Sequence, residues 1–309
     1  MSEDAPFPHA DGNSARIDGL LAREAPVVVL FRRGPSKSVG LFRWDLRDDR
    51  IEEGQWFWGR IYTRRCDLSP NGELLCYFAG RFRGPLGTWT AISRPPYLTA
   101  LALWSQGHTW GGGGLFSTNG RLALNHSFDE TGETPYRPRL DGLPLPPGFL
   151  VRPLHERSGA GEDDPIESMR LVRDGWTLSD EGSRVTQSWS APIRLAYDRP
   201  YARTKPIAGH KREPLLLRVL LHGLHERDGR RIVESGQIVT QDDTVIRDLG
   251  RIDWADASAK GDVLWTAGGC VHRISRGELA RDAEPRMVAD LNDRRFRRLD
   301  TPDEMRRWP

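Results

Sequence analysis

A short turn-forming pattern recurs along this chain: Asp67-Leu-Ser69-Pro-Asn-Gly72, Thr177-Leu-Ser179-Asp-Glu-Gly182 and Asp256-Ala-Ser258-Ala-Lys-Gly261, each followed by an apolar or aromatic run. Ser, Asn and Asp side chains bond to nearby backbone N–H groups and Gly takes positive φ at no steric cost. Each copy therefore has the chemistry of a tight turn between antiparallel strands. A degenerate copy, Leu103-Trp-Ser105-Gln-Gly107, extends the series, and the intervals from serine to serine are 36, 74 and 79 residues. These fit one, two and two steps of roughly 38 residues, near the length of a four-stranded propeller blade. A second echo, Pro153-Leu-His-Glu-Arg-Ser-Gly159 and Gly223-Leu-His-Glu-Arg-Asp-Gly229, is spaced by 70 residues, near two steps. The expected fold is all-β, a β-propeller of about six to seven blades. A β-sandwich or another all-β array is the competing architecture, because Ser-x-x-Gly turns also arise by chance.

Composition agrees with many short strands. Of 309 residues, 38% are hydrophobic and 28% charged, which excludes disorder of the whole chain, and 32 Gly with 22 Pro suit frequent turns. No linker divides the chain, so residues 16–309 are expected to form a single domain after a polar, flexible segment at 1–15. That segment lacks the charged-then-apolar layout of a signal peptide. No stretch of 18 apolar residues exists, so no membrane insertion is expected and the default compartment is the cytoplasm. Only Lys37, Lys205, Lys211 and Lys260 are lysines among 45 basic residues. Arginine suits phosphate recognition, but the excess runs along the whole chain and reads as codon bias. The local cluster Arg294, Arg295, Arg297, Arg298, Arg306 and Arg307 is interrupted by Asp293, Asp300, Asp303 and Glu304. It reads as a solvated, self-paired face, which argues against a nucleic-acid partner.

Read along the chain, Ala15 to Glu24 suggests a short helix and Val27 to Phe31 a buried strand. Val39-Gly-Leu-Phe-Arg-Trp-Asp-Leu46 has the pattern of the third strand of a WD-type blade. Further strands are expected at Arg50 to Tyr62, Cys66 to Phe78, Trp89 to Ile92, Tyr97 to Trp104 and Leu115 to Asn125. In the second half they are expected at Phe149 to His155, Met169 to Trp176, Arg184 to Tyr197, Pro214 to His225, Arg231 to Val239, Ile246 to Trp254, Val263 to Ala267 and Cys270 to Ile274. Glu130 to Pro147 reads as a long surface loop. Beyond Gly277 the chain is partly helical or irregular, with Met287 to Leu291 as a closing strand.

Cys66-Asp-Leu-Ser-Pro-Asn-Gly-Glu-Leu-Leu-Cys-Tyr-Phe78 resembles the Ser-Pro-Asp-Gly hairpin of bacterial TolB-like and WD40-like propeller proteins. The chain departs from WD40 proteins in lacking regular Gly-His and Trp-Asp pairs. The resemblance implies a disk that presents loops for binding proteins or ligands, and such a fold does not by itself fix function.

Eleven tryptophans supply either core filler or exposed faces for stacking. Trp44, Trp104 and Trp265 lie in apolar strands and read as core. Trp56, Trp58 and Trp110, beside Gln, Gly or His, are ligand-facing candidates together with His108. In Trp110-Gly111-Gly112-Gly113-Gly114 the glycines allow close backbone approach and their N–H groups suit an anion nest, the competing role being a bulge at a crowded place. Gly34-Pro-Ser-Lys-Ser38 reads as a hairpin turn. His222 and His225 are spaced to fall on opposite faces of a strand, so no metal is expected. Cys66 and Cys76 flank the turn as cross-strand thiols, and Cys270 reads as a small core residue. Asp67 and Asp256 occupy matching positions and read as capping groups rather than an acid and base. No nucleophile elbow, zinc motif or nucleotide fingerprint is present, and no cofactor is expected. Three functions follow as expectations: a non-catalytic interaction platform with a protein partner, a module binding or cleaving carbohydrate or another small molecule through Trp faces, and a phosphate or nucleic-acid binder using the C-terminal arginines.

Overall fold

The computed structural model of the protein describes residues 14–34, 37–82, 84, 86–132, 134–135, 142–209, 214–227 and 229–309. Among the described residues, five β-sheets follow one another along the chain, and none is closed. The first is β1 (Arg16–Leu21), β2 (Val27–Arg33), β3 (Ser38–Asp45) and β4 (Arg50–Trp58), in that order. In the second, β5 (Arg60–Ile61) and β6 (Asp67–Leu68) both pair with β7 (Leu75–Gly80), followed by β8 (Thr88–Ser93) and β9 (Ala102–Ser105). The third holds β10 (Gly114–Thr118), β11 (Arg121–Leu124) and β12 (Leu150–Pro153), the last parallel to its neighbour. After helix α1 (Ile166–Arg173) comes the largest sheet, with β13 (Thr177–Asp180), β14 (Val185–Gln187), β15 (Ile193–Ile207), β16 (Leu215–Glu226), β17 (Ile232–Thr240) and β18 (Val245–Ile252). The fifth is β19 (Trp254–Ala257), β20 (Val263–Ala267), β21 (Cys270–Ile274) and β22 (Arg286–Asp290), with the short helix α2 (Arg276–Leu279) before its last strand.

The described residues divide into two compact units. One comprises 14–17 with 175–293, the other 18–174 with 294–309. In the second, β2 is a β-branched and aromatic run that suits a pleated, fully buried position, and it is buried from Val27 to Arg32. Phe31, Leu41, Ile61, Leu75 and Tyr77 share one apolar cluster, and Ile92, Trp104, Phe116 and Leu124 share another. In the first unit Leu217, Val219, Ile238, Leu264 and Val271 are buried.

The Ser-x-x-Gly turns are of two kinds. At Ser69 the backbone N–H donates to Leu74 O (2.8 Å), Gly72 N donates to Ser69 O (2.8 Å), and Leu74 N donates to Ser69 Oγ (2.9 Å). At Ser258 the same three bonds recur with Asp262 and Gly261 (2.8, 2.9 and 3.1 Å). Each turn links a strand to the neighbour it pairs with, β6 to β7 and β19 to β20. Ser179 instead lies within β13, and Ser105 ends β9. Two of the four marks therefore build turns with the same bonding pattern, the second one residue shorter, and the 38-residue period does not describe the chain.

Other sequence expectations are met or corrected. The Trp44 segment is the third strand of its sheet, and 286–290 supplies a fourth strand to the last sheet. Five sheets stand where about six to seven blades were expected. The helix expected at Ala15 to Glu24 is strand β1, because pairing with β2 overrides a marginal local preference. The strand expected at Met169 to Trp176 is helix α1, which starts after Pro165 and carries Glu167 in its first turn and Arg170 and Arg173 in its last. The polar start at 1–13, part of the Gly34 to Ser38 turn and part of the 130–147 loop lie outside the described residues. No helix among the described residues is long and apolar enough to cross a membrane.

Candidate functional site

In the second unit, β7 and β8 end together at the pair Gly80 and Thr88, and β9 ends beside them at the pair Ser105 and Trp89. The chain leaves β9 into residues 106–113 and enters β10. Gln106 N and Gly107 N both donate to Thr88 O (2.9 and 3.2 Å), which fixes the exit direction.

From here four successive carbonyls are held from within. Thr88 Oγ1 donates to His108 O, and Gln106 Nε2 donates to Trp110 O. Arg65 Nη1 donates to both Thr109 O (2.6 Å) and Gly111 O (2.8 Å). The Arg65 side chain is 1% exposed. It lies over the rings of Tyr62 and Phe78, with Asp163 at 3.3 Å as its counter-charge. A buried guanidinium needs this combination of anion, acceptors and ring faces.

The glycine run is a place of close packing. Gly111, Gly112 and Gly113 have φ of 78°, 86° and 83°, a left-handed series that L-residues with side chains resist. A Cβ at Gly111 would lie 2.6 Å from Gly159 O, and one at Gly112 would overlap the Phe78 ring. Gly111 N donates to Gly161 O (2.7 Å), Gly112 N to Asn125 O (2.7 Å) and Gly113 N to Thr90 Oγ1 (2.8 Å), while Gly114 pairs with Leu124 in β11. The amides are spent inside the chain, so the anion nest does not form. Asn125 ties the same region to the next segment, donating from Nδ2 to Ala160 O and accepting from Gly159 N (both 2.8 Å).

The result is a stiff loop whose outer side chains are free to meet a ligand: His108 is exposed and Trp110 is 57% exposed. Trp56 is elsewhere. It is buried against Gly40 and Phe42, and its indole N–H donates to Glu53 (3.0 Å), so it is a core residue. Its sequence neighbours Gln55 and Phe57 concealed this, because alternation along β4 sends Trp56 inward. Trp58 is 53% exposed and packs edge-on against Phe296 (5.8 Å between centroids). The sequence offered no sign of Arg65, Thr88, Thr90, Gln106 and Asn125 as the loop's supports, since most of the bonds they make there span twenty to forty-six residues.

Other arrangements of reactive side chains are structural. Asp67 accepts two bonds from Arg173 (2.7 and 2.8 Å) and one from Phe116 N (2.7 Å), and Asp256 accepts from Lys205 (2.6 Å) and Ala257 N (2.7 Å). They are buried ion-pair partners, where turn caps were expected. His222 bonds to Ser235 Oγ (2.8 Å), but Ser235 is 2% exposed and sits within a strand, so its hydroxyl is closed to a substrate. Burial lowers the His222 pKa, with Glu234 opposing and Arg251 reinforcing that shift. No metal-ligating group of His, Cys, Asp and Glu occurs among the described residues. Cys66, Cys76 and Cys270 are free thiols, and burial pushes Cys66 up to about 12. The C-terminal arginines pair mainly across space: Arg294 and Arg297 reach Glu53 (3.5 and 2.8 Å).

No protein-family model and no curated protein matches the chain. The chain shows weak likeness to solved structures, these two among them. An uncharacterized protein from Listeria monocytogenes EGD-e is 9% identical with a TM-score of 0.29, covering 94% of this chain and 87% of its own. The tricorn protease is 8% identical with a TM-score of 0.23, covering 89% of this chain and 22% of its own.

Proposed function

We infer that the chain is a non-catalytic binding module of propeller type, with the 106–114 loop at its binding face. One observation carries the reading: the carbonyls of residues 108–111 are pinned by buried side chains, while His108 and Trp110 project outward. Arg65 is buried with its charge met by Asp163 and its donors by two loop carbonyls, an arrangement that holds the loop in one shape. A pre-shaped loop loses little entropy on binding, and an exposed Trp on it supplies a large rigid contact. Protein partners and small ligands both fit that surface, and the three free thiols suit the cytoplasm.

The test is affinity capture of the tagged full chain and of its Trp110→Ala and His108→Ala variants from native lysate, with mass spectrometry of bound proteins and small molecules. A bound species held by the parent and lost from Trp110→Ala, with melting temperatures matched, is the expected outcome. An identical set of bound species for all three proteins would remove the loop from the binding face.

A further inference from the structure

The loop at 106–110 shares its end of the second unit with three other connections. Val39 pairs with Arg33 and Ser38 with Trp58, which puts the β2 to β3 turn beside the end of β4. Gly59 N donates to Lys37 O (3.1 Å), and Arg60 pairs with Gly80, at the start of the β7 to β8 turn. The described residues 33–34, 37–38, 58–60, 81–82, 84, 86–87 and 106–110 thus line one end of the first two sheets.

These connections contain no Asp or Glu. They carry Arg33, Lys37, Arg60 and Arg81, none in an ion pair among the described residues, and the last three are exposed. The turns at the opposite end hold Glu24, Asp48, Asp49 and Glu73 among their basic residues. The basic end also carries exposed rings: Trp58, Phe82 at 58% and Trp110. Phe296, packed on Trp58, brings the C-terminal arginine run alongside, with Glu53 holding Arg294 and Arg297. Arg295 adds to the burial that lowers the Arg32 pKa, a sign of concentrated positive charge here.

Cations interleaved with exposed ring faces match a ligand that alternates anionic groups with flat π-surfaces. Trp58 at the end of β4, Phe82 in the β7 to β8 turn and Trp110 after β9 offer three separate ring faces of the kind on which successive bases stack. Resting on the binding-module reading above, we propose that this end binds single-stranded nucleic acid, with Arg60, Arg81 and Lys37 on phosphates and Trp58, Phe82 and Trp110 stacking on bases.

The test is fluorescence anisotropy of the full chain with labelled dT15 and U15 at 50 and 200 mM NaCl. Contact with about three phosphates gives a log–log salt slope near −2, so affinity should fall about fifteen- to twentyfold over that range. The double variant Arg60→Glu with Arg81→Glu should weaken binding at least tenfold and flatten the slope. Trp110→Ala should weaken it about five- to a hundredfold with the slope kept, as loss of one stacked base does. Circular dichroism and melting verify that the variants fold. Absence of oligonucleotide binding at 50 mM salt, or binding unmoved by the charge reversal, overturns the proposal. So does tighter, Trp110-independent binding of polyglutamate or heparin, which would assign the face to a different polyanion. The lysate capture stands apart from these outcomes, since a Trp110-dependent neutral partner would keep the binding-module reading while the nucleic-acid proposal failed.

Discussion

A methyl group on Gly112 would collide with the Phe78 ring, and the φ of 86° there disfavours any side chain. Gly112→Ala therefore combines left-handed strain with overpacking, each of order 1–3 kcal/mol. Urea unfolding should show a loss of about 2–5 kcal/mol. Cys66 makes a different statement. Burial raises its thiol from 9.0 to about 12, with hydrogen bonding to the Phe78 backbone opposing the shift. The unfolded chain thus releases this proton first, and the contribution to stability is present below pH 9 and is lost as pH rises from 9 towards 12. Denaturant midpoints should fall over that range, and a folded Cys66→Ala variant should fall less steeply. The glycine run and the cysteines were plain in the sequence, but what packs against them was not, because Phe78, Gly159 and Arg65 reach Gly111–Gly113 only through the fold.

Helix α1 illustrates the element scale. It is held to the second sheet by arginine and carboxylate pairs: Arg64 with Glu167 (2.5 Å), Arg65 with Asp163 (3.3 Å) and Arg173 with Asp67 (2.7 Å). Arg170 adds bonds to the carbonyls of Thr63 and Cys66. Asp67 is 2% exposed, so Arg173→Ala leaves a buried carboxylate with Phe116 N–H as its remaining named donor. The expected cost is about 3–5 kcal/mol by chemical denaturation. Asp67→Asn combined with Arg173→Ala should cost less than the sum of the single changes, because the pair is one interaction. The helix had a sequence signal in Asp163-Asp-Pro165, acidic residues and Pro before an apolar position. Its strand-like reading came from Met169, Leu171 and Val172, residues that fit either period in so short a run. The error at β1 is the converse case, a helix-compatible pattern whose neighbour β2 was already a strand in need of pairing.

At the scale of the whole molecule, the arrangement of charge depends on which connections share an end. The net charge of +2 and the matched acidic and basic counts say nothing of the connections at one end of the first two sheets, which hold no Asp or Glu and against which Asp163 is paired with Arg65. The C-terminal arginines read as a self-paired stretch, yet their strongest pairing is to Glu53, some 240 residues earlier, and Phe296 carries the run to Trp58. Local patterns by themselves determined the all-β class, most strand positions and the two serine turns. Alternation, β-branching and turn chemistry act over a few residues and can be read from a few residues. Tertiary structure alone decided that Trp56 is core, that the glycine amides are spent internally, that Arg65 braces the loop, and that four separated turns form one basic and aromatic end. Those outcomes depend on strand register and on long-range contacts, which set what each side chain meets and leave no trace in local spacing.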